Sequence, residues 1–509
     1  MKNRNLEFVR NALCAAIMTC ATLAHAGKSD DTLVYASDAE IDNITPYYSS
    51  LRESVIVARN VWDTLVYRDP QTGEYKPQLA TAWKWESPTQ LDVDLRQGVK
   101  FHNGDTLTAD DVVFTFNYVV AAESRVITRQ QVDWVKNVEK LGPYKVRINL
   151  KTAFPAALEY LSGPMPILPG AYFQKVGLQG FAKAPVGTGP YKITAVVPGQ
   201  SVTMVKNTDY FKDSPQGQAQ IGTLKFMTIV DQETRVAQLM TGGVDWIWRV
   251  PSDQAESLKQ MPNITVASGE TMRVGQLTMD SRGTSDPKTP FKDVRVRQAV
   301  NYALNRQSLS DDLVGGGSHP VYAACFRTQV GCNTAGVVEY AYDVAKAKQL
   351  LSEAGYPNGF ETTLYAYRDR DYAEAIIGEL RKVGIRANLH FLKATAMQTD
   401  YRDGKMPLTF QAWASLSVND ASAFPSVYFK GSSDDQTKDP EVQQWLATAD
   451  SSLDLAQRNE FYGKALARIS EQAYWAPLFS YSLNYAYTSD LVFQDYPDEL
   501  PRFYAAKWK

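Results

Sequence analysis

The run FETTLYAYRDRDYAEAIIGELRKVGIRANLHFL, residues 360–392, constrains the fold most. Its two apolar ends read as strands, its middle has the period of a helix, and Gly384 supplies the helix stop. A strand, a helix and a strand in that order make a βαβ unit, and such units place helices on the faces of a sheet. The same alternation recurs along the chain. TLVYASDAE (32–40) reads as a strand entering a polar turn, and VARNVWDTLVYRD as a helix followed by an extended segment. SVTMVKN and TLKFMTIV alternate like strands, while DQETRVAQLMTGGVDWIW predicts a helix stopped by Gly242 and Gly243 before another strand. DVAKAKQLLSEAGY predicts a capped helix, and DVRVRQAVNYALNRQSLSDDLVGG predicts one long amphipathic helix with its arginines on a solvated face. The chain is α/β throughout, without internal repeats.

The first 26 residues have the form of a secretory signal: Lys2, Arg4 and Arg10, an apolar core from Ala12 to Leu23, and Ala24-His25-Ala26 as the cleavage site. Removing it takes Lys2, Arg4, Arg10 and Glu7, leaving 50 basic against 55 acidic residues. That mildly acidic surface offers no general field for nucleic acid or anionic lipid. Export also frames the cysteines. Cys14 and Cys20 leave with the signal, and Cys325 and Cys332 in CFRTQVGC read as a disulfide closing a small loop, with free thiols and a metal pair as the alternatives. Length places two or three domains in the remainder.

LDVDLRQGVKFHNGDTLTADDVVFTFNYVV, residues 91–120, carries one histidine and clustered aspartates, yet its pattern reads as scaffold. Thr108 with Asp110 and Asp111 is a helix N-cap with acids in the first turn, Asn103-Gly104 is a turn, and His102 has no second ligand at helical spacing. The G-x-G-P of APVGTGPYKI precedes a strand rather than a helix and reads as a structural loop.

Several blocks together resemble the family 5 extracellular solute-binding proteins of ABC importers, the dipeptide, oligopeptide and nickel class of cluster C. They are LRQGVKFHNGDTLTADDVVFTFNYV, PQLATAWKWES, PVGTGPYKI, GGVDWIW, PFKDVRVRQAVNYALNRQSL, DVAKAKQLLSEAGYPNGF, ELRKVGIRANL and YWAPLFS, in the family's order and across nearly the whole mature chain. The resemblance implies a type II periplasmic-binding-protein fold. Residues 27–268 plus 478–509 would form lobe I, with an extra subdomain near 60–185, and 275–475 lobe II. Hinge segments would lie near 268–275 and 475–485. It also implies a monomeric periplasmic receptor that closes over a small molecule or short peptide and delivers it to permease subunits at the inner membrane, with no cofactor.

Residues carried over from the family pattern are expectations of the same kind. Trp413 matches a pocket-wall position. The aspartate that pairs with a peptide ammonium in peptide-binding members falls near Ser417 here, and Asp420 is the nearby acid. A hydroxyl at that place suits an uncharged or anionic ligand, so a small amphipathic or carboxylated compound or a short peptide is expected. Arg368 and Arg370 are candidate carboxylate clamps, with surface pairing to Asp369 or Asp371 as the alternative. Trp246 and Trp248, two apart on one strand, are candidates for a cleft wall or for core. Tyr35, Ser37 and Asp38 end the first strand, where family ligand contacts also fall. Two other functions remain: a nickel- or metal-chelate receptor of the same family, and a secreted hydrolase. Against the hydrolase, the chain has no G-x-S-x-G, and His102, His319 and His390 are far apart in sequence.

Overall fold

The computed structural model describes residues 27–414 and 418–509; the signal segment and Ser417 lie outside the described residues. A ten-stranded sheet runs through the molecule. Its order is Ile385–Phe391, Phe360–Ala366, Leu408–Ala414, Ile264–Met279, Trp475–Thr488, Trp246–Trp248, Thr32–Ser37, Thr223–Thr228, Ser201–Lys206 and Tyr191–Val197. The βαβ unit forms as its sequence requires. Phe360–Ala366 and Ile385–Phe391 pair in parallel, helix Arg370–Arg381 connects them, and Gly384 has the positive φ of a helix stop.

Two strands outrun their neighbours, Ile264–Met279 at 16 residues and Trp475–Thr488 at 14. They pair antiparallel from Ile264 opposite Thr488 to Glu270 opposite Ser482, and again from Val274 opposite Ser480. Between those stretches Thr271, Met272 and Arg273 stand against Tyr481 alone, a bulge that turns them toward the C-terminal tail. There Met272 N–H donates to the Pro497 carbonyl at 2.7 Å, and Arg273 grips both oxygens of Glu499 at 2.9 and 2.6 Å. Apolar cores lie to either side. One gathers Leu33, Trp62, Phe116, Tyr191 and Trp246; others gather Phe291, Leu364 and Phe410, or Phe424, Tyr462 and Trp475.

A separate four-stranded sheet, ordered Ala80–Ser87, Gln90–Leu95, Lys145–Leu150 and Val135–Gly142, packs with helix Ala109–Val120 in the first half. Thr108 caps that helix in a reciprocal box with Asp111. His102 is held in the neutral form, its Nδ1 accepting from Gly187 N–H at 3.2 Å and its Nε2 meeting the Gly189 carbonyl at 3.0 Å. Burial pushes its pKa down to about 4. Gly187 and Gly189 are needed for close approach: a Cβ on either would meet the Val61 backbone at 2.0 or 2.6 Å.

Two local readings change. The single helix expected over 293–316 is three pieces, because Leu304 is extended and Asn305 caps a new turn at Arg306–Ser308. Arg297 and Arg306 are buried rather than solvated, and each spends its guanidinium on backbone carbonyls, including Phe291 and Gln472 for Arg297 and Pro477 and Asn301 for Arg306. Asp435, in the polar run GSSDDQTKDP, is fully buried and accepts from Gly431, Thr437, Lys438 and Gln443.

Candidate functional site

The first group of polar side chains lies where two parallel strands end, Tyr35 standing opposite Trp246. Trp248 Nε1–H donates to Ser37 Oγ at 2.8 Å, and Ser37 donates to the buried Glu53 carboxylate at 2.6 Å. Arg249 pairs with Asp38 at 3.0 Å and lies over the Trp248 ring. The cluster thus brings Tyr35, Ser37, Asp38, Trp246 and Trp248 together. The two tryptophans and Tyr35 are packed in an aromatic core with Tyr485, Phe493 and Phe503.

A small cavity, with about 70 Å³ of water-accessible space, opens near this cluster. Ile44, Pro46, Tyr47, Val55, Trp62 and Pro166 give it apolar walls, and Arg59, Thr128, Gln131 and Tyr504 add polar groups. Val55 and Arg59 are one turn apart on helix Arg52–Val61, so that helix presents an apolar and a cationic side chain to the same space. Among the described residues Arg59 makes no hydrogen bond and no ion pair. Gly163 lies against it; a Cβ there would stand 3.2 Å from Nη2. Burial, and then the Arg502 charge, lower the pKa of Arg59, but a guanidinium remains protonated. Thr45 Oγ1 and Gln216 Oε1, on two further lining residues, are buried without a hydrogen-bond partner among the described residues. An unpartnered cation and a hydroxyl among apolar walls suit an amphipathic anion, while the amide oxygen calls for a donor on the same solute.

A segment of the other half reaches this place. Val418 is buried in the first half's core. Asn419 N–H donates at 2.7 Å to Glu159 Oε1, three residues before the lining Ser162. The segment is held from behind by the Cys325–Cys332 loop, whose disulfide is present. Val330 N–H donates to the Asn419 carbonyl at 3.0 Å, Ala421 N–H returns to the Val330 carbonyl at 2.9 Å, and the Gln329 amide reaches the Val418 and Asp420 carbonyls. Asp420 itself is occupied: Arg458 holds both oxygens at 3.0 and 2.9 Å, and Oδ1 also accepts from Ser422 N–H.

Trp413 stacks on Phe424, centroids 4.1 Å apart and planes parallel within 1°. Arg368 donates to Asp369 at 2.6 Å, Tyr481 donates to the same oxygen at 2.6 Å, and the Arg368 and Arg273 guanidinium groups lie 5.2 and 5.9 Å from the Tyr481 ring centre. Arg370 is exposed, 3.5 Å from Glu374 and over Phe391. The two arginines therefore diverge.

Residues 74–436 match the family described as bacterial extracellular solute-binding proteins, family 5, middle. The chain belongs to this family. It is a solute-binding protein of the ABC-importer class, with the two-lobed α/β fold of type II periplasmic binding proteins. A glutathione-binding protein, GsiB of Pectobacterium atrosepticum, is 28% identical over 522 residues, covering 97% of each chain. The periplasmic binding protein DppA from Helicobacter pylori in complex with peptide STSA superposes with a TM-score of 0.81 at 25% identity, over 96% of this chain and 99% of that one. AgaA from A. tumefacien R10, in complex with agropinic acid, gives 0.79 at 25% identity, over 94% and 99%.

Sequence reasoning passed over the cavity residues of this binding protein. Arg59, Thr128 with Gln131, Gln216 and Tyr504 come from four distant segments, and only Arg59 left a signal: a charge three residues after the buried Ile56, on the inward side of a helix.

Proposed function

We propose that the binding protein captures a small carboxylated, amphipathic solute or a short peptide in the cavity around Arg59 and releases it chemically unchanged. The observation that carries this reading is the unpartnered Arg59 guanidinium set among apolar walls. The Asp498 and Glu159 charges act on this guanidinium without an ion pair among the described residues, and a planar fork with open donors is matched by a ligand carboxylate. Glutathione, a peptide and agropinic acid, the solutes of the relatives, all carry one. The occupied Asp420 favours recognition of the anionic end over an ammonium clamp.

Lobe I comprises residues 27–268 plus 478–509 and lobe II 275–475, and they close by bending where the long strands lose register near Glu270 and Val274. Residues 1–26 direct export, and the loaded monomer delivers its solute in the periplasm to an ABC permease. In the described residues no helix is long and apolar enough to cross a membrane. The metal-chelate alternative draws no support from direct ligands, since the described residues hold no group of three His, Cys, Asp or Glu placed for a metal.

Tryptophan fluorescence and calorimetry against glutathione, Ser-Thr-Ser-Ala, agropinic acid, nickel–histidine and a neutral disaccharide test the reading. Saturable binding of a carboxylated solute near micromolar, about −8 kcal/mol, is expected, with the solute recovered intact by mass spectrometry. Binding of the disaccharide alone, or a cleaved solute, overturns it.

A further inference from the structure

We propose that Glu159 is the positioning residue that holds the lobes shut: a carboxylate preset by lobe I to receive one backbone N–H from lobe II. The proposal rests on the closing motion inferred above. Glu159 lies on the short helix Ala157–Leu161 and is 3% exposed. Its Oε2 accepts from Tyr75 O–H at 2.7 Å and faces Arg68 Nε at 3.2 Å, and both of those partners belong to lobe I. Its Oε1 faces the other way and accepts from Asn419 N–H at 2.7 Å. The acceptor is therefore oriented before lobe II arrives, and only the Oε1 bond is made or broken as the lobes meet.

The donor is equally fixed. The carbonyl of Asn419 is bonded to Val330 N–H, and Asp420, the next residue, is clamped by Arg458. A rigid N–H thus meets a rigid carboxylate, with no side chain of lobe II to order on contact. Glu159 is not among the residues lining the cavity. Its contribution falls on closure and not on contact with the solute. A charge-assisted hydrogen bond made only in the closed state slows release more than it speeds capture.

Stopped-flow fluorescence with glutathione as the probe tests this on the full mature chain. For Glu159→Ala the dissociation rate should rise about tenfold, with the association rate within about twofold of wild type. Glu159→Gln, which keeps one acceptor oxygen, should fall between. Tyr75→Phe removes a lobe I support without touching lobe II; it serves if Glu159→Ala folds poorly, and a smaller rise in the same rate is expected. Unchanged dissociation in all three, or a loss confined to association, overturns the proposal. If glutathione fails to bind wild type, the solute reading is what suffers, and the same release measurement with whichever of Ser-Thr-Ser-Ala, agropinic acid or nickel–histidine saturates wild type decides the latch: faster release from Glu159→Ala supports it, and equal release from both proteins overturns it.

Discussion

Arg59 sets the sharpest expectation at the scale of single residues. Arg59→Leu removes the cation while filling similar space, so affinity for a carboxylated solute should fall about tenfold to a hundredfold, the range for a lost charged hydrogen bond. Calorimetry reads the loss, and the unchanged thermal midpoint of a folded variant separates it from damage to the fold. His102 gives a second expectation, with a defined sign. Its folded pKa of about 4 lies below the ordinary histidine value. The unfolded chain therefore binds more protons between about pH 4 and 6.5, and this residue's contribution makes stability rise with pH across that window. His102→Gln should flatten that part of a melting-temperature profile. The histidine read as scaffold does brace two glycines, whereas Arg59, which drew no reading from the sequence, lines the cavity.

Elements were far more legible than sites. Caps, glycine stops and period-two runs announced helix Ala109–Val120, the strands Ser201–Lys206 and Thr223–Thr228, and the βαβ unit, because each is decided within a short local stretch. The 293–316 segment failed for the opposite reason. Tertiary carbonyls at Pro477 and Gln472 recruit Arg306 and Arg297, and no local pattern records them. The Cys325–Cys332 loop joins the two levels. It closes over a sequence separation of 7 residues, so its loss should cost only about 2–3 kcal/mol of stability. Yet its Val330 sets the register of the Asn419 segment. Replacing both cysteines by serine should therefore weaken solute affinity severalfold while the protein still unfolds cooperatively. Denaturation and titration with and without reductant check both parts.

At the scale of the molecule, the resemblance implies two lobes but gives no sign of the cavity around Arg59, whose lining lies wholly in the segments proposed as lobe I. That space is assembled from residues 43–67, 128–131, 162–166, 216 and 504, which only the fold brings together. If the lobes close as proposed, small-angle scattering should show a smaller radius of gyration on addition of a saturating carboxylated solute. An identical profile with and without it counts against closure.

The two long strands are bonded to each other on both sides of the gap opposite Tyr481. If these strands are the connections between the lobes, as proposed, they form one ribbon that cannot slide apart, and opening would have a single pivot, like a door on one pin, with the edge farthest from Tyr481 sweeping the widest arc.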